Sequence, residues 1–191
     1  MKALRIGFAV LLMLQLSACV SVYKPPKENV VALDQYLPGA VQGDAKSMGS
    51  LGRALVTGGQ GVGREPLQAQ RYLIAAAEHG EVAAQSYLAR QYFGEMAGAP
   101  LTKDAALGRY WALRAAIQGD DDALRVLARY HGRRDGDAFD PVESCKWLKV
   151  AYPAASGGAC DARSLGAEQI AEAQRRAAEW RQQNPRTVEK P

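Results

Sequence analysis

The chain predicts an all-α fold, a right-handed α/α solenoid (superhelix) of three helix pairs with N- and C-terminal capping helices. Three observations carry this. One pattern is written three times between Gly43 and Ala155, opening on Gly43, Gly80 and Gly119 and so recurring after 37 and then 39 residues. Each copy has Leu eight positions on (Leu51, Leu88, Leu127), then an acid, an aromatic seven positions later (Tyr72, Trp111, Trp147), and Ala four after that (Ala76, Ala115, Ala151). A period of that length marks stacked helical hairpins. Second, Ala and Leu dominate and only 7% of residues are aromatic, which favours close-packed helices over sheets. Third, Gly and Pro punctuate segments whose apolar residues recur at three- and four-residue steps.

The first elements read as export and attachment. Residues 1–18 have a basic start (Lys2, Arg5) and an apolar run from Ile6 to Leu16, too short to span a bilayer and suited to a signal peptide. The run ends Leu16-Ser17-Ala18-Cys19, which resembles a bacterial lipobox. The resemblance implies cleavage before Cys19 and lipidation of its sulfur and new amino group, several acyl chains giving a lasting membrane anchor. Val20 follows where inner-membrane lipoproteins resemble a pattern with Asp, so the expectation is an outer-membrane lipoprotein facing the periplasm. Residues 19–28 hold Lys24-Pro25-Pro26-Lys27, an extended tether. Residues 29–42 carry Val30, Val31, Leu33, Tyr36 and Leu37, a short capping helix expected to end at Pro38-Gly39.

The repeats follow at 43–79, 80–118 and 119–155. In the first, a helix from about Asp44 to Thr57 ends at the Gly58–Gly63 run, and Glu65-Pro66 opens a second that stops at His79-Gly80. In the second, Ala84, Leu88 and Tyr92 mark the first helix, a loop with Gly98 and Pro100 follows, and Thr102 or Asp104 caps the second. In the third, Asp120-Asp121-Asp122 begins a helix, Gly132–Asp140 is a polar loop, and Pro141 and Pro153 bracket the last partner. Residues 156–191 hold a final helix from about Leu165 to Gln183, with Ser164 as N-cap and Ile170, Ala173, Ala177 and Trp180 as its apolar stripe. Such a helix closes the open end of a solenoid.

The residues Leu51-Gly52, Gly61-Val62, Ala69, Tyr72 and Ala76-Ala77 resemble the Sel-one-like repeat, a relative of the tetratricopeptide repeat. Leu88-Ala89, Tyr92, Asp104, Trp111 and Ala115-Ala116 match it more fully; Leu127-Ala128, Asp140, Trp147 and Ala151 match with a damaged end at Pro153 and Ala155. The resemblance implies core roles for the repeat Leu residues, for the small Ala residues, and for Tyr72, Trp111 and Trp147. It also implies an adaptor that grips another protein, either an envelope assembly component or, as an immunity protein, an exported toxin. A rarer reading within the resemblance, a periplasmic hydrolase of cell-wall or β-lactam substrates, belongs to relatives with a Cys pair in every repeat.

The chain's chemistry points the same way. The formal net charge is +4, and loss of the segment holding Lys2 and Arg5 leaves about +2, too mild to argue for nucleic acid. Arg53, Arg90 and Arg129 each fall two after the repeat Leu and are expected to line the inner curve as a basic strip for a partner's acids, or else to be paired within the chain. With Cys19 lipidated, Cys145 and Cys160 remain as a pair that an oxidising compartment permits to join, two free thiols being the alternative. The Gly58–Gly63 loop lacks the Lys-Ser/Thr of a phosphate cradle. His79 and His131 have no ligand partner at metal spacing, Asp135, Asp137 and Asp140 lack the calcium-loop pattern, and Ser47 and Ser86 show no base. No catalytic residue, metal or cofactor is expected.

Overall fold

The computed structural model describes residues 31–58, 62–96 and 101–185. The signal segment, Cys19, the tether, Gly59–Gly61, Gly98, Pro100 and the tail after residue 185 lie outside the described residues. The described residues form eight α-helices and one short 3-10 turn, with no strand. They are α1 (Val31–Val41), α2 (Ala45–Thr57), α3 (Pro66–Glu78), α4 (Val82–Tyr92), α5 (Ala105–Ile117), α6 (Asp121–Gly132), α7 (Pro141–Ala151), the turn Gly158–Cys160, and α8 (Ala167–Gln183). Each helix packs on the next, α2 on α3, α4 on α5 and α6 on α7, and the pairs stack in series.

The repeat works through its boundaries. Gly80 and Gly119 adopt φ of +87° and +83°, a left-handed turn that residues with a Cβ resist. An acid follows each repeat Gly and caps the next helix: Asp44 accepts from Ser47 N, Glu81 from Ala84 N, and Asp120 from Ala123 N. The second helices are opened by Glu65, Asp104 and Asp140. Asp104, not Thr102, caps α5 through Leu107 N at 2.9 Å, and Asp140 accepts from Val142 N and Glu143 N at 3.0 Å. Pro66 and Pro141 take first-turn positions, where no N–H is needed.

Packing follows the repeat. Leu51, Leu88 and Leu127 are at most 1% exposed, and Trp111 and Trp147 are buried. Tyr72 is only half-buried, packing on the core from its edge. Ala76 and Ala115 are sealed, whereas Ala151 is partly open because it is the last residue of α7. Gly108 lets α5 approach the ring of Phe93; a Cβ there would lie 2.6 Å from the ring. Polar stitches cross the repeats: Gln85, wholly buried, donates to Ala77 O at 2.9 Å and accepts from Gln118 Nε2 at 2.8 Å.

Three boundaries differ from expectation. α1 runs through Pro38 to Val41 rather than ending there, because Ala40 is drawn into the core and the chain leaves only at Gly43. Gly132 is the last residue of α6, close enough to α7 that a Cβ would meet Ser144 Oγ at 2.9 Å. Ser164 is not the cap of α8. The amides of Ser164 and Leu165 turn back onto Asp161 O, Leu165 is buried, and the helix starts after Gly166, whose N–H donates to Gln169 Oε1 at 3.0 Å. Tertiary burial of Leu165 outweighs the local preference of Ser for a cap.

At the far end α8 docks on α7. Trp180 meets Trp147 edge-to-face at 4.8 Å, and Arg181 Nη1 donates to Lys149 O at 2.6 Å. Cys145 and Cys160 are joined, with Cα atoms 4.9 Å apart, and enclose a second small core with Leu165 and Ala173.

Candidate functional site

The first helices α2, α4 and α6 share one face of the stack, and two cavities open there. The smaller, about 310 Å³, lies between α1, α2 and α4 and is lined by Tyr36, Arg53 and Tyr87 among others. The larger is a groove of about 1190 Å³. Its floor is α6, its sides are the end of α4, the 133–140 loop and α7, and its far rim is the turn Gly158–Cys160.

Helical spacing builds the floor. Asp122, Arg125 and Arg129 lie three and four residues apart, so they share one face of α6. Pro141, Ser144 and Leu148 do the same on α7. The intervening loop is braced at both ends by His131: Asp140 N donates to its carbonyl at 2.9 Å, and its Nδ1 lies 3.1 Å from Ala138 O. That bracing presents Phe139 to solvent at 44% exposure, beside Arg133 and Arg134. The rim is tied to α7 through the Cys145–Cys160 bond.

The electrostatics of the groove are lopsided: five arginines line it against two carboxylates, Glu95 and Asp122. Arg125 is held by Asp122 and by the Tyr152 hydroxyl; the bond to Asp122 raises its already high pKa, so it is cationic at every ordinary pH. Arg129 grips Glu95 in a fork, Nη2–Oε2 2.7 Å and Nε–Oε1 3.2 Å, while Arg90 Nε stands 3.9 Å from the same carboxylate. Arg133 reaches Asp135 only at 4.0 Å. Arg134 is exposed and has no ion-pair partner among the described residues.

The expected ladder of Arg53, Arg90 and Arg129 is thus on one face, but it is not bare. Arg53 stands 3.7 Å from Glu81, and the other two share Glu95. In-chain pairing is the arrangement found, because Glu81, directly after Gly80, and Glu95, in the loop after α4, bring carboxylates to that face. Sequence reasoning missed Glu81, Glu95, Arg125, Arg133, Arg134 and Phe139. Two signals were present: the acid directly after each repeat Gly, and arginines at four-residue steps (Arg125, Arg129, Arg133). Phe139 gave none.

Buried polar atoms sit beside the ladder. Tyr87 Oη, both polar atoms of the Gln91 amide, Arg53 Nη1 and Arg90 Nε are enclosed without a partner in hydrogen-bond geometry. Burial pushes the Tyr87 phenol above its ordinary pKa, so it stays neutral.

The other side chains singled out have structural duties. Ser86, for which the sequence shows no base, donates to Asp120, the cap of α6, and Ser144 donates to Ala128 O at 2.7 Å. His79 Nδ1 lies 2.8 Å from Ala75 O at the end of α3. Asp140 caps α7 and Asp135 faces Arg133. Among the described residues no group of three or more His, Cys, Asp or Glu converges to hold a metal, and no helix is long and apolar enough to cross a membrane.

A scan against family models and a search of curated proteins gave no match. Solved structures did. The crystal structure of a Sel1 repeat protein from Oxalobacter formigenes matches at 27% identity and a TM-score of 0.50, over 78% of this chain and 98% of that one. The crystal structure of a protective antigen present in uropathogenic Escherichia coli strains, displaying an SLR fold, matches at 27% identity and a TM-score of 0.54. That match covers 78% of this chain and 33% of the antigen.

Proposed function

We propose that this chain, whose fold is that of the Sel1-like repeat proteins, is a lipid-anchored adaptor of the bacterial envelope that holds a protein partner on the face made by α2, α4 and α6. The fold itself is commonly a protein-interaction scaffold. One observation carries the reading: an open, arginine-rich groove on that face whose side chains converge on no reaction centre. Ser144, which lines it, spends its hydroxyl proton on Ala128 O rather than on a base, which disfavours the hydrolase reading. The lipobox-like Leu16-Ser17-Ala18-Cys19 supports attachment, and a disulfide suits an exported chain. An immunity protein against an exported toxin uses the same surface and is the second reading.

The test is affinity capture from crosslinked envelopes with a tagged copy that keeps Cys19. Reversing charge at Arg53, Arg90 and Arg129 together abolishes recovery of the partner if the face is the site. Undiminished recovery would remove it. Metabolic labelling with radioactive palmitate should mark the wild type and not Cys19→Ala; equal labelling refutes the anchor. Turnover of a cell-wall or β-lactam substrate by the purified domain would overturn the adaptor reading.

A further inference from the structure

Three features of the groove over α6 bear on what fills it. Its volume, about 1190 Å³, exceeds the roughly 300–1,000 Å³ typical of small-molecule sites. Its charge is unbalanced, with Arg133 loosely held and Arg134 unpaired among the described residues. Its wall carries an aromatic ring in water: Phe139, 44% exposed, faces the same groove as Leu148. A loop braced by His131 and a rim tied by a disulfide fix the backbone that carries Phe139 and frames the groove.

Resting on the adaptor reading, we infer that this groove takes an extended, acidic segment of the partner protein, its carboxylates on Arg133 and Arg134 and one apolar side chain against Phe139. The chain itself demonstrates the first half of this chemistry. Glu95 enters the Arg129 fork with both oxygens, as a partner's carboxylate would enter its neighbours. The exposed ring supplies the second half. A peptide alternating acid and Leu offers both a carboxylate and an aliphatic side chain at adjacent positions, which matches the two halves together. The chain's own flanks offer no run of acids: residues 19–30 hold Lys24 and Lys27 against Glu28, and residues 186–191 hold Arg186 and Lys190 against Glu189. Neither supplies the excess of carboxylates that five arginines favour.

The test is fluorescence anisotropy of a short labelled peptide of alternating Glu and Leu on the lipid-free chain, with a Glu-only peptide and heparin as competitors. The inference expects Arg134→Glu to weaken the Glu/Leu peptide by about tenfold and Phe139→Ala to weaken it several-fold, at unchanged melting temperature. Both residues lie on an exposed loop, and Arg134→Gln provides a second, milder variant. Equal binding of the Glu-only peptide with Phe139→Ala silent overturns the inference, as does tighter binding of heparin. So does a dimer, seen by sedimentation, that excludes the peptide. A captured partner that is lost on reversal of Arg53, Arg90 and Arg129 yet indifferent to Arg134 and Phe139 removes this inference alone. Peptide binding with no partner captured removes the adaptor reading instead.

Discussion

Replacing Cys145 and Cys160 together by Ala should cost about 3 kcal/mol of stability in the chain-entropy account, since the bond closes a loop over a separation of 15 residues. Both sulfurs are nearly sealed, Cys145 wholly and Cys160 at 4% exposure, and Ala leaves no polar atom to desolvate, so the loss is of the link and of a little packing. For a domain of this size, 1 kcal/mol shifts the melting temperature by roughly 2–4 °C, so the expected drop is about 6–12 °C. The loss is local in origin. Cys160 anchors the rim, and the segment from it leads through buried Leu165 into α8, which is otherwise held to α7 by the Trp147–Trp180 contact and the Arg181 bond. A stack of hairpins unravels from its ends, so amides of α8 should lose protection against hydrogen exchange before those of α4. Thermal melts by circular dichroism and exchange mass spectrometry read both effects. A melting temperature within about a degree of wild type, or exchange rising first in α4, would refute the reasoning.

Four further outcomes follow. Leu127→Ala, at a site 1% exposed in the third repeat, should cost about 2–5 kcal/mol, seen as a lower urea midpoint at unchanged slope. Gly119→Ala forces a Cβ onto φ +83° and should cost about 1–2 kcal/mol; a stabilised variant would deny the turn's role. Asp104→Ala removes the bond to Leu107 N and should cost about 1 kcal/mol, with Asp104→Asn restoring most of it. Hydrogen bonds from Ser47 hold the exposed Asp44 carboxyl below its usual range. A depressed folded-state pKa stabilises above the unfolded value and is lost as pH falls through the folded one, so Asp44→Asn should flatten part of the acid limb, read by melts across that range.

Much of the architecture was legible because a repeat writes each local rule three times. Gly and Leu recur at one fixed offset, and acid, aromatic and Ala at others, across a gap of varying length; a positive φ, core slots and, at Asp104 and Asp140, caps account for them. Helix starts at Asp44 and at Pro141 therefore follow from the chain itself, while the choice of Asp104 over Thr102 was left to the fold. Tertiary contacts decided the rest. Ser164 looks like a cap, yet Leu165 beside it is pulled into the small core around Cys160, and the helix begins later. Pro38 looks like a stop, yet Ala40 is buried beyond it. The arginine ladder stands on one face as helical spacing requires, but its electrostatic state depends on Glu81 and Glu95, whose reach into it is set by a turn and a loop. Spacing along a chain dictates which side chains share a helix face. Only the stacking of those helices decides which opposite charge arrives from elsewhere, and so how much of the face is left for a partner.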